Sequence, residues 1–153
     1  MIMRLIMIIL LFLIPACADP KYPVAYTVPK PIHYDVVALD RYLIQEYGDE
    51  MYEHFIVVYI KDDTILDIHV AAIGSPREVN ANLFMIHNKA VLNQANKIIF
   101  AHNHPGKFFA SPSSIDLASA KQAIDFFNLA KIEFLASVVL TEQDTFWIRQ
   151  HKI

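Results

Sequence analysis

Residues 55–60 read Phe-Ile-Val-Val-Tyr-Ile, an unbroken apolar run of β-branched and aromatic side chains. Successive side chains on a strand point to opposite faces. A strand that is apolar on both faces has to be covered on both, which places it inside a sheet with layers above and below. The surrounding pattern supplies those layers. Asp35 to Tyr47 reads as a helix through Val37, Leu39, Tyr42, Leu43 and Ile44, ended by Gly48. Lys61-Asp62-Asp63 is a turn, and Thr64 to Ile73 is a second strand ending at Gly74. Asn82 to Asn93 reads as a helix through Leu83, Ile86, Ala90 and Val91, and Lys97 to Ala101 as a short strand. Residues 102–112 are a Gly-, Pro- and Ser-containing loop. Ser113 to Ala130 is a helix, with Ser113 as cap, Asp116 in the first turn, and Ala120, Ile124, Phe127 and Ala130 on one face. Phe134 to Leu140 and Thr145 to Ile148 close the chain as a hairpin. Strands alternating with helices around one sheet make an α/β sandwich, a single domain over residues 35–153.

The front of the chain is different. Hydrophobic residues are 55% of the whole, and the excess sits in residues 1–18. Arg4 gives a positive start, Leu5 to Ile14 is continuously apolar, and Pro15-Ala16-Cys17-Ala18 is a small-residue exit. Those are the parts of a secretory signal, and the run is short for a membrane-spanning helix. Ile14-Pro15-Ala16-Cys17 also resembles a bacterial lipobox, which would place a lipid on Cys17, the only cysteine. The expectation is an exported protein, lipid-anchored to the membrane or free in the periplasm or outside. A cytoplasmic protein is the alternative if the leader is not a signal. Residues 19–34 hold Pro20, Pro23, Pro29 and Pro31 and read as an extended linker or edge segment. The net charge of −3 argues against nucleic acid as a partner.

Chemistry concentrates in Ala101-His102-Asn103-His104-Pro105, followed by Ser113-Ser114-Ile115-Asp116. Two histidines at i and i+2, leaving the end of a strand, point the same way and can bind one metal ion. A carboxylate in the first turn of the next helix can supply a third ligand, its ionised form favoured by the helix N-terminus. Two imidazoles, one carboxylate and an open fourth position make a catalytic zinc set. A lone H-x-H pair is also what a surface Asn-His-Pro turn would show. The Ser-x-x-Asp at a helix start, after a strand and a loop, is what separates the two readings.

H-N-H-P followed by S-x-x-D resembles the RadC-like branch of the JAB/MPN metallohydrolases, whose active members carry the JAMM signature E…H-x-H…S-x-x-D. Glu53-His54-Phe55 is similar to the Glu-His-Phe that opens the family's domain, and Gly74 precedes His102 by the family's interval. Ala90, Ala95 and Ile98-Ile99-Phe100-Ala101 fall in register, as do Val138-Val139-Leu140 and Thr145-Phe146-Trp147. The resemblance implies an α/β/α sandwich of the JAB/MPN (cytidine-deaminase-like) type. It implies that His102, His104 and Asp116 bind Zn2+, that Glu53 holds the water and acts as general base, and that Ser113 hydrogen-bonds the developing oxyanion. Glu46, Glu50 and Glu78 are other candidates for the base.

There are departures from the family pattern. The loop between His104 and Ser113 is longer by one residue and carries Gly106-Lys107-Phe108-Phe109, where two adjacent phenylalanines are either packed core or an apolar contact for a substrate or partner. The family's Pro-Arg-Glu has no counterpart in register, where Leu83-Phe84-Met85 stand. Ala136-Ser137 replace an Asp-His pair. The implied function is a zinc-dependent metallopeptidase or isopeptidase acting on a peptide or protein. The alternatives are a non-catalytic JAB/MPN interaction module and a DNA-repair-associated RadC-like protein. A zinc-dependent base deaminase is excluded, since no C-x-x-C exists.

Overall fold

A computed structural model describes residues 32–74 and 81–149. The leader 1–18 with Cys17, most of the proline-containing segment, and Glu78 lie outside the described residues. In chain order the elements are β1 (Ile32–His33), α1 (Val36–Tyr47), β2 (His54–Lys61), β3 (Thr64–Ile73), α2 (Leu83–Leu92), β4 (Lys97–Asn103), α3 (Ser114–Leu129), β5 (Glu133–Leu140) and β6 (Thr145–Ile148). Strands associate in the order β1-β3-β2-β4-β5-β6. The end of the proline-containing segment is therefore a short edge strand, with Ile32 and His33 opposite Ile65 and Thr64.

Alternation along β2 divides the core in two. Ile56, Val58 and Ile60 face α1 and pack with its Leu39, Leu43 and Tyr47. Val57 and Tyr59 face the other way, towards Ile86 and Ala90 of α2 and Ala123, Ile124 and Phe127 of α3. The sheet thus has one helix on one face and two on the other, the expected α/β/α sandwich. Val37 and Val91, counted among the apolar helix positions, are exposed. The buried stripe of α1 runs through residues 39, 43 and 47, and Val37 lies two residues before it, on the far side. Val91 is turned about 100° from Ala90 by the helix pitch.

Strand β4 runs to Asn103, two residues past the expected end at Ala101. Pairing on both sides carries it to His102, opposite Phe55 of β2 and Val139 of β5, and pairing with β5 alone carries it to Asn103, opposite Leu140. β4 and β5 run parallel, and α3 is the crossover between them. That topology brings the N-terminus of α3 back to the C-terminal end of β4.

Gly48 ends α1 as expected, but for a different reason. Its φ of −64° is right-handed, so conformational freedom is not what it supplies. A Cβ there would stand 2.6 Å from the Ile44 carbonyl oxygen and 2.7 Å from that of Thr141. Both are backbone atoms and cannot swing aside. Gly48→Ala is expected to destabilise the fold by about 1–3 kcal/mol, the usual cost of overpacking. Urea unfolding would show it as a lower midpoint at unchanged slope, and an unchanged midpoint would refute the close approach.

Candidate metal centre

The centre starts from β-strand alternation. His102 and His104 leave the end of β4 on the side of α3, and their Nε2 atoms are 3.1 Å apart. Asp116, in the first turn of α3, meets them both. Its Oδ1 lies 3.0 Å from His102 Nε2 and its Oδ2 lies 3.4 Å from His104 Nε2. One carboxylate oxygen of Glu53 and one ring nitrogen of each histidine lie within 4.8 Å of one another. The tertiary structure therefore brings His102, His104, Asp116 and Glu53 to one place.

Glu53 is set apart from Glu46 and Glu50 by burial. It is 8% exposed, just before β2 and two residues before Phe55 of the Phe55–His102 pair. Glu46 and Glu50 are exposed. Gly74 donates its backbone N–H to the Glu53 carbonyl at 2.8 Å, so the end of β3 helps to fix the residue.

Ser113 and Asp116 form a reciprocal cap on α3. The Asp116 N–H donates to Ser113 Oγ at 3.2 Å, and the Ser113 N–H donates to Asp116 Oδ2 at 2.6 Å. The cap orients the carboxylate toward the histidines and uses the serine hydroxyl only as an acceptor. Its O–H can still donate. Burial by itself would raise the Asp116 carboxyl pKa. The hydrogen bonds from His102, His104 and the Ser113 backbone together outweigh burial and hold the group well below the usual carboxylate range. Asp116 is thereby kept ionised, the form a metal requires.

The donor set fits a transition metal. Ligand atoms at 2.0–2.2 Å from one ion in a tetrahedral site stand roughly 3.3–3.6 Å apart. The nitrogen and oxygen separations here are 3.0, 3.1 and 3.4 Å. For one tetrahedral ion Asp116 would present a single oxygen, where its two oxygens now face one histidine each. His102 and Glu53 are buried and His104 and Asp116 partly so, so little water competes for the charges.

The loop after His104 turns at Gly106, whose φ of +67° is left-handed and favours glycine. The rings of Phe108 and Phe109 are exposed (64% and 71%) and meet edge to face at 5.0 Å. They are not packed core. Sequence reasoning passed over Asn103, which is fully buried between the two histidines in the chain. Its Oδ1 accepts from the His54 N–H at 2.7 Å, and its Nδ2 donates to the carbonyls of Tyr52 and Glu50 at 3.0 and 3.2 Å. The available signal was its place in H-N-H, which puts it on the opposite face of β4 from both histidines.

Replacing the cap tests this geometry directly. Ser113→Ala is expected to cost about 0.5–2 kcal/mol, since the N–H of Asp116 loses its acceptor. Chemical denaturation measures it, and a loss below about 0.3 kcal/mol would mean the cap does not operate in solution.

Comparison with known proteins agrees with the fold. A UPF0758 protein of Aquifex aeolicus (strain VF5) is 35% identical over 106 residues, covering 69% of this chain and 46% of the relative. A UPF0758 protein of Thermosynechococcus vestitus is 35% identical over 80 residues, covering 52% of this chain and 32% of the relative. The chain thus matches less than half the length of either relative. The RadC-like JAB domain matches residues 34–153, from just after β1 to the end of the sequence. With that match spanning every helix and strand but the first, the chain belongs to the RadC-like JAB domain family.

Proposed function

We propose that the chain is a zinc-dependent hydrolase that cuts peptide or isopeptide bonds. The observation that carries this reading is the convergence of two imidazoles and an ionised carboxylate at 3.0–3.4 Å beside a buried glutamate. In it, His102, His104 and Asp116 hold the metal. Zinc, when bound, supplies Lewis acidity, polarising a carbonyl oxygen and acidifying water.

The chain's own groups do the rest. Glu53 accepts a proton from the attacking water and returns it to the leaving amine, a general-base then general-acid role worth typically about 10²–10⁴-fold. Burial of Glu53 keeps its carboxylate away from bulk solvent, where it is positioned for that transfer. Ser113 directs its O–H at the oxygen that gains charge as the carbonyl carbon becomes tetrahedral. Its backbone is fixed by the α3 cap, so the donor needs no reorganisation. The exposed Phe108 and Phe109 support a second reading, an interaction module that keeps the fold without the reaction.

Two measurements decide between them. Elemental analysis should find zinc in the wild-type chain, and His104→Ala should weaken its retention against a chelator by at least about 10–100-fold. Equal zinc in that variant would sink the ligand assignment. Glu53→Gln should retain zinc yet lose about 10²–10⁴-fold of the hydrolysis of a quenched fluorogenic library with peptide and lysine-isopeptide linkages. Hydrolysis equal to wild type would remove Glu53 as the base and favour the interaction module. Loss of the metal in Glu53→Gln would instead make it a ligand.

A further inference from the structure

The geometry points to Asn103 as the residue that positions Glu53 against the two histidines. The inference rests on the hydrolase reading above. It begins from one tripeptide, His102-Asn103-His104, whose alternating side chains serve opposite faces of β4. The histidines face α3. Asn103 faces the α1 side, is fully buried, and spends its amide on the segment that carries Glu53.

The pattern of those bonds is specific. The peptide group before Glu53 is held by its carbonyl, which accepts from Asn103 Nδ2 at 3.0 Å. The peptide group after Glu53 is held by its N–H, which donates to Asn103 Oδ1 at 2.7 Å. The same Nδ2 also reaches the Glu50 carbonyl at 3.2 Å. One side chain therefore grips the backbone on both sides of the Glu53 Cα. Residues 50–53 precede β2 and belong to no helix or strand, and Met51 and Tyr52 are exposed. Asn103 supplies there what a sheet ladder would supply elsewhere.

Few other side chains can do this. The job needs an acceptor and two donors, in one plane, on a one-carbon stem. Aspartate keeps the acceptor but turns an oxygen toward two carbonyl oxygens. Glutamine adds a methylene in a fully buried place. Alanine leaves three backbone groups without this partner. The result couples the two halves of the site: the backbone that sets His102 and His104 also sets the distance from them to the Glu53 carboxylate. A general base must stand within hydrogen-bond reach of its proton. A misplacement of about 1 Å can cost roughly 10²-fold in rate.

Asn103 bonds to backbone groups, so its removal should spare metal affinity and strike the step that uses Glu53. The test uses the full chain as wild type, Asn103→Ala, Asn103→Ser and Glu53→Gln, with Co2+ as the metal probe. Both Asn103 variants are expected to bind Co2+ with Kd within about threefold of wild type. Their bound-Co2+ visible spectra should depart from wild type in the direction of Glu53→Gln. In hydrolysis of the fluorogenic library, kcat should fall about 10²-fold with KM within about threefold. Asn103→Ser, which keeps one hydroxyl for one backbone partner, serves as the readout if Asn103→Ala does not fold. Wild-type spectra and kcat in the variants would overturn the inference. So would a parallel fall of Co2+ affinity, thermal midpoint and kcat, since that is a general structural loss. A wild-type chain that binds no Co2+ would overturn the hydrolase reading, and this inference with it.

Discussion

The arrangement depends on β4 being paired on both sides through His102, with Asn103 held by β5 on one side and by its own side chain on the other. Phe55 of β2 and Val139 of β5 flank His102, and Leu140 flanks Asn103. A strand end held on one side only would fray, and the direction of its last side chains would average out. Here the pairing preserves alternation through residue 103, so the faces of His102 and Asn103 are decided. His104 follows one residue later, its N–H donating to the Leu140 carbonyl at 2.9 Å. Everything else at the site is brought to this end of β4: Asp116 by the crossover helix, Glu53 by the start of β2, and Gly74 by the end of β3.

Electrostatics make the cluster usable. A half-buried carboxylate is destabilised by loss of water, and two nearby imidazoles and a helix cap reverse that. The cap is the economical part. One Ser-Asp pair satisfies two groups at the helix N-terminus and aims the carboxylate. Capping and electrostatic roles are combined in the same two residues, Ser113 and Asp116.

Much of this was readable from the chain. The strand Thr64–Ile73, the cap at Ser113 and the helix behind it follow from local periodicity and capping preference, which act over a few residues. H-x-H and S-x-x-D carry their geometry locally, the first through strand alternation and the second through the helix turn. The misreadings have physical causes too. The last two residues of β4 look like loop because His-Asn-His-Pro has no apolar pattern, yet two neighbouring strands extend it. Gly48 looks like a left-handed cap, yet it is a clearance for the Thr141 carbonyl, 93 residues away in sequence. Phe108 and Phe109 look like core by composition, and only the surrounding packing shows them exposed.

The sequence by itself determined the layers, the element types and the placing of His102 and His104 side by side, because these depend on side-chain chemistry and short-range spacing. The resemblance pointed to Glu53, and the tertiary structure is what sets it beside the histidines, apart from the exposed Glu46 and Glu50, and what holds it there. Glu53, Glu46 and Glu50 are alike in composition and close in sequence. They differ in burial, and burial is set by contacts between residues some 50 positions apart. Asn103 belongs to the same class. Its amide is ordinary until the fold closes three backbone partners around it, and long-range hydrogen bonds of that kind leave no local pattern to read.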